Sequence, residues 1–161
     1  MLCYVFSDSH GIVEPMTKIL SQSLPDAVIH LGDDLADAKY LAERFPMQMI
    51  SVPGNSYDDM YSNEPGSRMI TLEGHRLYLC HGHRYQVKSS LLTLGYAAMS
   101  RDAEIALFGH THIPCDETQN GIRFINPGSV SKGWLSGNSY ARLTLTRQDV
   151  QCEIVKLPTQ K

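Results

Sequence analysis

Seven side chains able to hold a divalent cation fall at five places in this 161-residue chain. Asp8 and His10 lie in Ser7-Asp8-Ser9-His10-Gly11, Asp33 in Leu31-Gly32-Asp33-Asp34, and Asn55 in Pro53-Gly54-Asn55. His81 lies in Cys80-His81-Gly82-His83, and His110 and His112 in Gly109-His110-Thr111-His112. Each segment follows a run that reads as a β-strand. In an α/β sheet the carboxyl ends of the strands share one edge, where ligands bind. Groups scattered along the sequence would therefore gather there. Carboxylate, amide and imidazole in this number suit a divalent-metal centre, and two metals better than one.

Taken singly, none of these segments is distinctive. Asp-x-His is common, and Gly-Asp or Gly-Asn alone usually marks a turn. Their order and spacing carry the argument. From His10 to Asp33, Asn55, His81 and His110, each successive gap is close to the ~30 residues of a βα unit.

Asp-x-His, Gly-Asp, Gly-Asn, His-Gly-His and Gly-His-Thr-His in this order resemble the calcineurin-like metallophosphoesterase superfamily, from Met1 to about Ser129. The short length and the segment Asn126-Pro127-Gly128-Ser129 resemble its small bacterial and archaeal phosphodiesterase branch. The resemblance implies an α/β fold, a four-layer α/β/β/α sandwich of two mixed β-sheets. It implies that Asp33 bridges two cations, with Asp8, His10 and His112 on one and Asn55, His81 and His110 on the other. It also implies a phosphoesterase acting first on phosphodiesters, with a hydroxide bridging the two metals as nucleophile. Manganese is the first expectation for both ions, and nickel, iron, cobalt or zinc would suit the same mixed donors.

One residue departs from the pattern of larger relatives, in which Gly-Asn is followed by a histidine near the leaving group. Here Ser56 follows, and Asp58 and Asp59 come slightly later. Asp34, beside the expected bridge, reads as a helix cap. Among the other histidines, His30 lies in an apolar strand and reads as structural or as support for a ligand. His75 reads as a solvent-exposed hairpin tip. His83, two residues beyond a ligand, suits either a structural role or contact with a phosphate. The alternation of a strand through Thr111 would splay His110 and His112 toward different metals. Asn126 to Ser129 would form a loop near the site.

The elements that must position these groups are legible as apolar runs between Pro and Gly breaks. Strands are expected at residues 2–7, 26–31 and 47–52, and helices at 13–24 and 35–45, ended by Pro25 and Pro46. This βαβαβ start predicts parallel pairing. Residues 57–67 read as loop, and 68–72 and 76–80 as a hairpin turning at Glu73-Gly74-His75. A helix is expected over 86–100 and a strand over 104–108. Asn120-Gly121 signals a second hairpin between 115–119 and 122–125. Strands at 140–146 and 150–156 close the chain, read as one domain over residues 1–161.

Composition bounds the rest. Hydrophobic residues at 42% with charged residues at 19% describe a globular protein, and a net charge of −3 disfavours nucleic acid as a partner. No stretch approaches the roughly 20 apolar residues of a membrane span. The N-terminal Met1-Leu2-Cys3-Tyr4-Val5-Phe6 lacks a basic leader and reads as a first strand rather than a signal peptide. Cys3, Cys80, Cys115 and Cys152 lack CxxC spacing and suit reduced thiols in the cytoplasm. A small phosphoester is the expected partner, and a homo-oligomer is compatible with a sequence that carries no interface motif. The rival reading is a non-catalytic scaffold, because a trafficking subunit of retromer resembles this branch and uses the fold to bind proteins. A complete ligand set favours the enzyme. A nuclease would call for a capping domain or basic groove, and neither is evident.

Overall fold

The computed structural model describes residues 1–158. The chain begins β1 (Leu2–Phe6), α1 (Glu14–Gln22), β2 (Ala27–His30), α2 (Leu35–Ala42), β3 (Gln48–Ser51) and α3 (Tyr57–Met60). It continues with β4 (Ser67–Leu72), β5 (His75–Cys80), α4 (Leu92–Met99) and β6 (Ile105–Leu107). The last strands are β7 (Cys115–Gln119), β8 (Ile122–Asn126), β9 (Ser139–Leu145) and β10 (Val150–Lys156). They form two five-stranded mixed sheets, ordered β10-β9-β1-β2-β3 and β4-β5-β6-β8-β7. Within them β1, β2 and β3 run parallel, as do β5, β6 and β8.

Strand alternation builds the four layers. Successive side chains point to opposite faces, so Cys3 and Val5 face the other sheet while Tyr4 and Phe6 face outward. In the second sheet Leu77 and Leu79 point inward, and Tyr78 and Cys80 outward. The inward set forms one buried cluster between the sheets with Ile29, Leu107, Ile125 and Leu143. Tyr4, Phe6 and Val28 pack against Met16 and Leu20 of α1 and Leu41 of α2. Leu94 and Ala98 of α4 cover Tyr78, Ala106 and Phe124. The expected α/β/β/α sandwich is present, with apolar residues on both faces of its central strands.

The boundaries differ in three informative places. The helix expected over 86–100 is only α4, preceded by a short 3₁₀ turn at His83–Tyr85. Gln86 sits at φ 53°, outside the helical region, and Val87 is buried against Gly82. Within the expected loop at 57–67, Ser56 caps α3 by accepting the Asp59 amide. The β4–β5 turn consists of Glu73 and Gly74, at φ 51° and 93°, so His75 begins a strand. Far from being a solvent-exposed tip, its side chain is 16% exposed. Its ring nitrogens meet Glu104 Oε2 at 3.0 Å and the Thr146 carbonyl at 2.9 Å. The Asn120-Gly121 hairpin forms as expected, with both residues at positive φ.

Candidate metal centre

The seven candidate ligands follow the carboxyl ends of β1, β2, β3, β5 and β6. Backbone pairing continues past the strand ends within each sheet, while the His110 amide on Asp8 Oδ2 and His81 Nδ1 on the Leu31 carbonyl tie the two sheets together at this edge. The Asp8 amide donates to the Gly32 carbonyl at 2.9 Å, His10 to Asp33 at 3.0 Å, and Gly109 to His81 at 2.9 Å. Five of the seven (Asp8, His10, Asp33, His110 and His112) have φ between 39° and 67°. This left-handed region costs most residues energy, and such strain gathers where the surroundings hold a functional geometry. His110 and His112 therefore diverge through two left-handed residues, not through the strand alternation expected around Thr111.

Two compact groups of ligand atoms result, one from Asp8, His10 and His112 and the other from Asp8, Asp33 and His81. Within each, the atoms lie within 4.8 Å of one another. Asp8 belongs to both. Its Oδ2 accepts from Ser7 Oγ at 2.6 Å and from the His110 amide at 3.0 Å. Its Oδ1 is buried and has no hydrogen-bond partner among the described residues. Asp33 is split in the same way. Oδ1 accepts the amides of Asn55 at 2.6 Å and Ser56 at 3.0 Å, while Oδ2 lies 3.6 Å from His81 Nε2 and 3.9 Å from His10 Nδ1.

The histidine tautomers sharpen the picture. His81 Nδ1 lies 2.7 Å from the Leu31 carbonyl, which can only accept, so that nitrogen carries the proton. In the neutral ring Nε2 then presents a lone pair to Asn55 Oδ1 at 3.0 Å and to the two carboxylates. Likewise, His112 Nδ1 donates to the Lys132 carbonyl at 3.0 Å, leaving Nε2 directed at Asp8 Oδ1 at 3.2 Å. Acceptors facing acceptors demand a positive charge between them. The Asp8 carboxylate beside it accordingly raises the His112 pKa. Burial pushes the Asp8 carboxyl up, but the nearby His112 and His81 rings and the Ser7 hydrogen bond leave it below the usual range. Burial pushes His110 down to about 4, aided by His81 and Lys88, which favours its neutral, ligating form.

Asn55 lies at the exposed rim. The His110 ring is outside both compact groups, with its centroid 5.1 Å from that of His81. His83 stands beside this pair, and its Nδ1 is buried without a partner among the described residues. His30 is fully buried and supports the site from beneath, with Nε2 3.0 Å from Ser9 Oγ and Nδ1 accepting the Gly32 amide. Asp34 caps α2 through the Ala36 amide.

Three supports have no weight in a reading confined to ligands. Asp59, 4% exposed, accepts the amides of Asp34, Leu35 and Gly54, clamping the two loops that carry Asp33 and Asn55. Its sequence signal is Ser56-x-x-Asp59, a capping pattern. Asn126 holds the histidine loop, donating to the Gly109 carbonyl and Thr111 Oγ1 at 3.0 Å each. Ser129 Oγ donates to the Asp8 carbonyl at 2.8 Å. Gly109 permits this packing, because a Cβ there would lie 1.9 Å from Ser7 Oγ.

Residues 1–148 match the family model of the calcineurin-like phosphoesterase superfamily domain. The chain is 32% identical over 145 residues to the probable metallophosphoesterase YsnB of Bacillus subtilis, covering 88% of this chain and 82% of that one. It is 31% identical over 149 residues to phosphodiesterase YfcE of Escherichia coli, covering 78% and 77%. A crystal structure of a conserved protein from Streptococcus pneumoniae, a predicted phosphoesterase, superposes with TM-score 0.78 at 27% identity, covering 96% and 88%. Vacuolar protein sorting 29 of Cryptosporidium parvum shares the fold with TM-score 0.81 at 19% identity, covering 99% and 93%.

Proposed function

Because the chain belongs to the calcineurin-like phosphoesterase superfamily, we propose that it is a dinuclear metal-dependent phosphodiesterase. The observation that carries this reading is Asp8 Oδ1, a buried carboxylate oxygen left without a partner where imidazole nitrogens and the Asp33 carboxylate converge. An uncompensated buried anion is costly. Two cations would satisfy it and the lone pairs aimed alongside it. Bound there, such ions would supply Lewis acidity and a water acidic enough to act as nucleophile near neutral pH.

The chain's own residues divide the work. Asp8, His10 and His112 would hold one ion, and Asn55, His81 and His110 the other. Asp33 would serve both ions, since its Oδ2 lies near both His10 and His81. Asp8 Oδ1 also approaches both groups, but its carboxylate is anchored to the histidine loop through Oδ2. Asn55 contributes an uncharged oxygen and limits the negative charge that an incoming phosphate must face. The carbonyls of Leu31 and Lys132 fix the imidazoles of His81 and His112 in the ligating tautomer. His83, beside His81 and His110, would donate to a phosphoryl oxygen.

Manganese is the proposed native metal, and the mixed nitrogen and oxygen donors also suit nickel, iron, cobalt or zinc. No helix among the described residues is long and apolar enough to cross a membrane. The four cysteines are free, which supports a cytoplasmic setting. The scaffold alternative draws on the likeness to vacuolar protein sorting 29. A scaffold has no need of strained backbone at five ligand positions, and this favours the enzyme.

Calorimetric titration of chelator-stripped protein with Mn²⁺ tests the dinuclear assignment, with two ions per chain expected. A single ion would refute the bridge.

A further inference from the structure

Beside the metal centre lies a cleft of about 180 Å³, bounded by Lys88, His110, His112, Lys132, Trp134 and Leu135. The loop that forms its outer wall is tied to the centre at several points. Ser131 Oγ lies 3.0 Å from the Asp8 carbonyl and 2.8 Å from that of Ser9. The Lys132 carbonyl accepts from His112, and Ser136 Oγ donates to the His112 carbonyl at 3.0 Å. Gly137 closes the loop on Gly133 at 2.7 Å. At its tip Trp134 and Leu135 are 84% and 93% exposed.

An exposed apolar side chain is unremarkable alone. Here two adjacent ones are held beside candidate ligands by a loop pinned to those same ligands. Two lysines face the same space, complementing an anion at the metals. The cleft opens directly onto His110 and His112, and its volume suits one ring rather than a polymer. An indole face stacks on flat π-systems, a preference that saturated rings of similar size do not satisfy.

We infer that this cleft is a specificity subsite that receives a planar aromatic substituent of the phosphoester, stacked on Trp134, while Lys88 and Lys132 face its phosphate. The inference rests on the phosphoesterase reading and adds the substrate class. An aryl group and a nucleobase share the required chemistry.

Trp134 is the only tryptophan in the chain, so fluorescence excited selectively at tryptophan, clear of the eight tyrosines, reports on this loop. The 161-residue chain, loaded with diamagnetic zinc, is titrated with phenylphosphonate, a nucleoside 5′-monophosphate and cyclohexylphosphonate. Fluorescence and calorimetry are followed together. At least one aromatic probe should perturb the tryptophan and bind about tenfold more tightly than the cyclohexyl probe, in keeping with base–aromatic stacking. Preference for phenylphosphonate identifies the aryl source, and preference for the nucleotide identifies the nucleoside source. Trp134→Ala should abolish the preference and leave cyclohexylphosphonate unchanged. Lys88→Ala should weaken all three probes alike. Equal affinities, no aromatic binding, or a preference that survives Trp134→Ala would overturn the subsite. Failure of diester turnover with aromatic binding intact would instead sink the phosphodiesterase reading.

Discussion

Asp59 Oδ2 accepts the Gly54 amide at 2.6 Å, while its other oxygen takes the Leu35 amide at 2.8 Å. One buried carboxylate thereby fixes the distance between the loop bearing Asp33 and the loop bearing Asn55. Gly54 is needed for that approach, since a Cβ there would lie 2.2 Å from Asp33 Oδ1.

Asp59→Asn replaces an acceptor with an amide NH₂ facing backbone N–H groups. Hydrogen bonds to a charged group are worth ~1.5–3 kcal/mol each, so thermal unfolding should shift downward by several degrees. Metal affinity should fall ~10–100-fold, as for other residues that orient ligands. The exposed neighbour Asp58 provides the control. Asp58→Asn should change neither quantity, as calorimetry and thermal denaturation can show.

Asp33 and Asp34 are adjacent but should behave differently. Asp33→Asn should lower metal content from two ions to one or none by elemental analysis. Asp34→Ala should retain both ions and lose only its cap, at a cost of ~0.5–2 kcal/mol in denaturant unfolding. Equal loss of metal from the two variants would place the bridge on the wrong aspartate.

Ser56 cannot readily replace a protonated imidazole near a leaving group. Its hydroxyl caps α3, and its amide is held by Asp33. General-acid help typically contributes ~10²–10⁴-fold and matters most for strongly basic leaving alcohols. With bond cleavage rate-limiting, kcat for diesters should fall steeply from nitrophenyl to alkyl leaving groups. A rate independent of leaving-group pKa would reveal an efficient acid, with His83 the side chain to test.

His75 supplies a pH-dependent tie between the sheets. Both ring nitrogens face acceptors, Glu104 and the Thr146 carbonyl, and the Glu104 hydrogen bond raises the His75 pKa above its ordinary 6.5. A raised folded-state pKa contributes stability that is full below the unfolded value and declines as pH rises through the folded one. His75→Ala should therefore lower Tm more near pH 6 than near pH 8.5. An equal loss at both would show that the charge contributes nothing.

The sequence exposed most of the framework because its cues were local. Apolar runs ending in Gly32-Asp33 or Gly54-Asn55 mark both a strand and the turn after it, and Asn120-Gly121 marks its hairpin. The candidate ligands were legible for the same reason: they sit next to strand ends, and parallel pairing brings those ends together. What escaped depends on contacts between distant segments. No local pattern announces that Asp59 will reach back to Leu35, or that Asn126 will hold Gly109. His75 leaves the turn tip because a two-residue Glu73-Gly74 turn suffices, and its partners come from β6 and β9 connections far away in sequence. The left-handed backbone at His110 and His112 was also hidden, since nothing in Gly-His-Thr-His distinguishes it from a strand end.

The central claim is that this cluster of acceptors becomes a hydrolytic centre when cations fill it. The most direct test is hydrolysis of bis(4-nitrophenyl) phosphate by folded, chelator-stripped protein as Mn²⁺ is added back. Turnover should be absent in the stripped protein, rise with metal, and reach its plateau at two ions per chain. Turnover that ignores chelation, or none across Mn²⁺, Ni²⁺, Fe²⁺, Co²⁺ and Zn²⁺ with the fold intact, would contradict it.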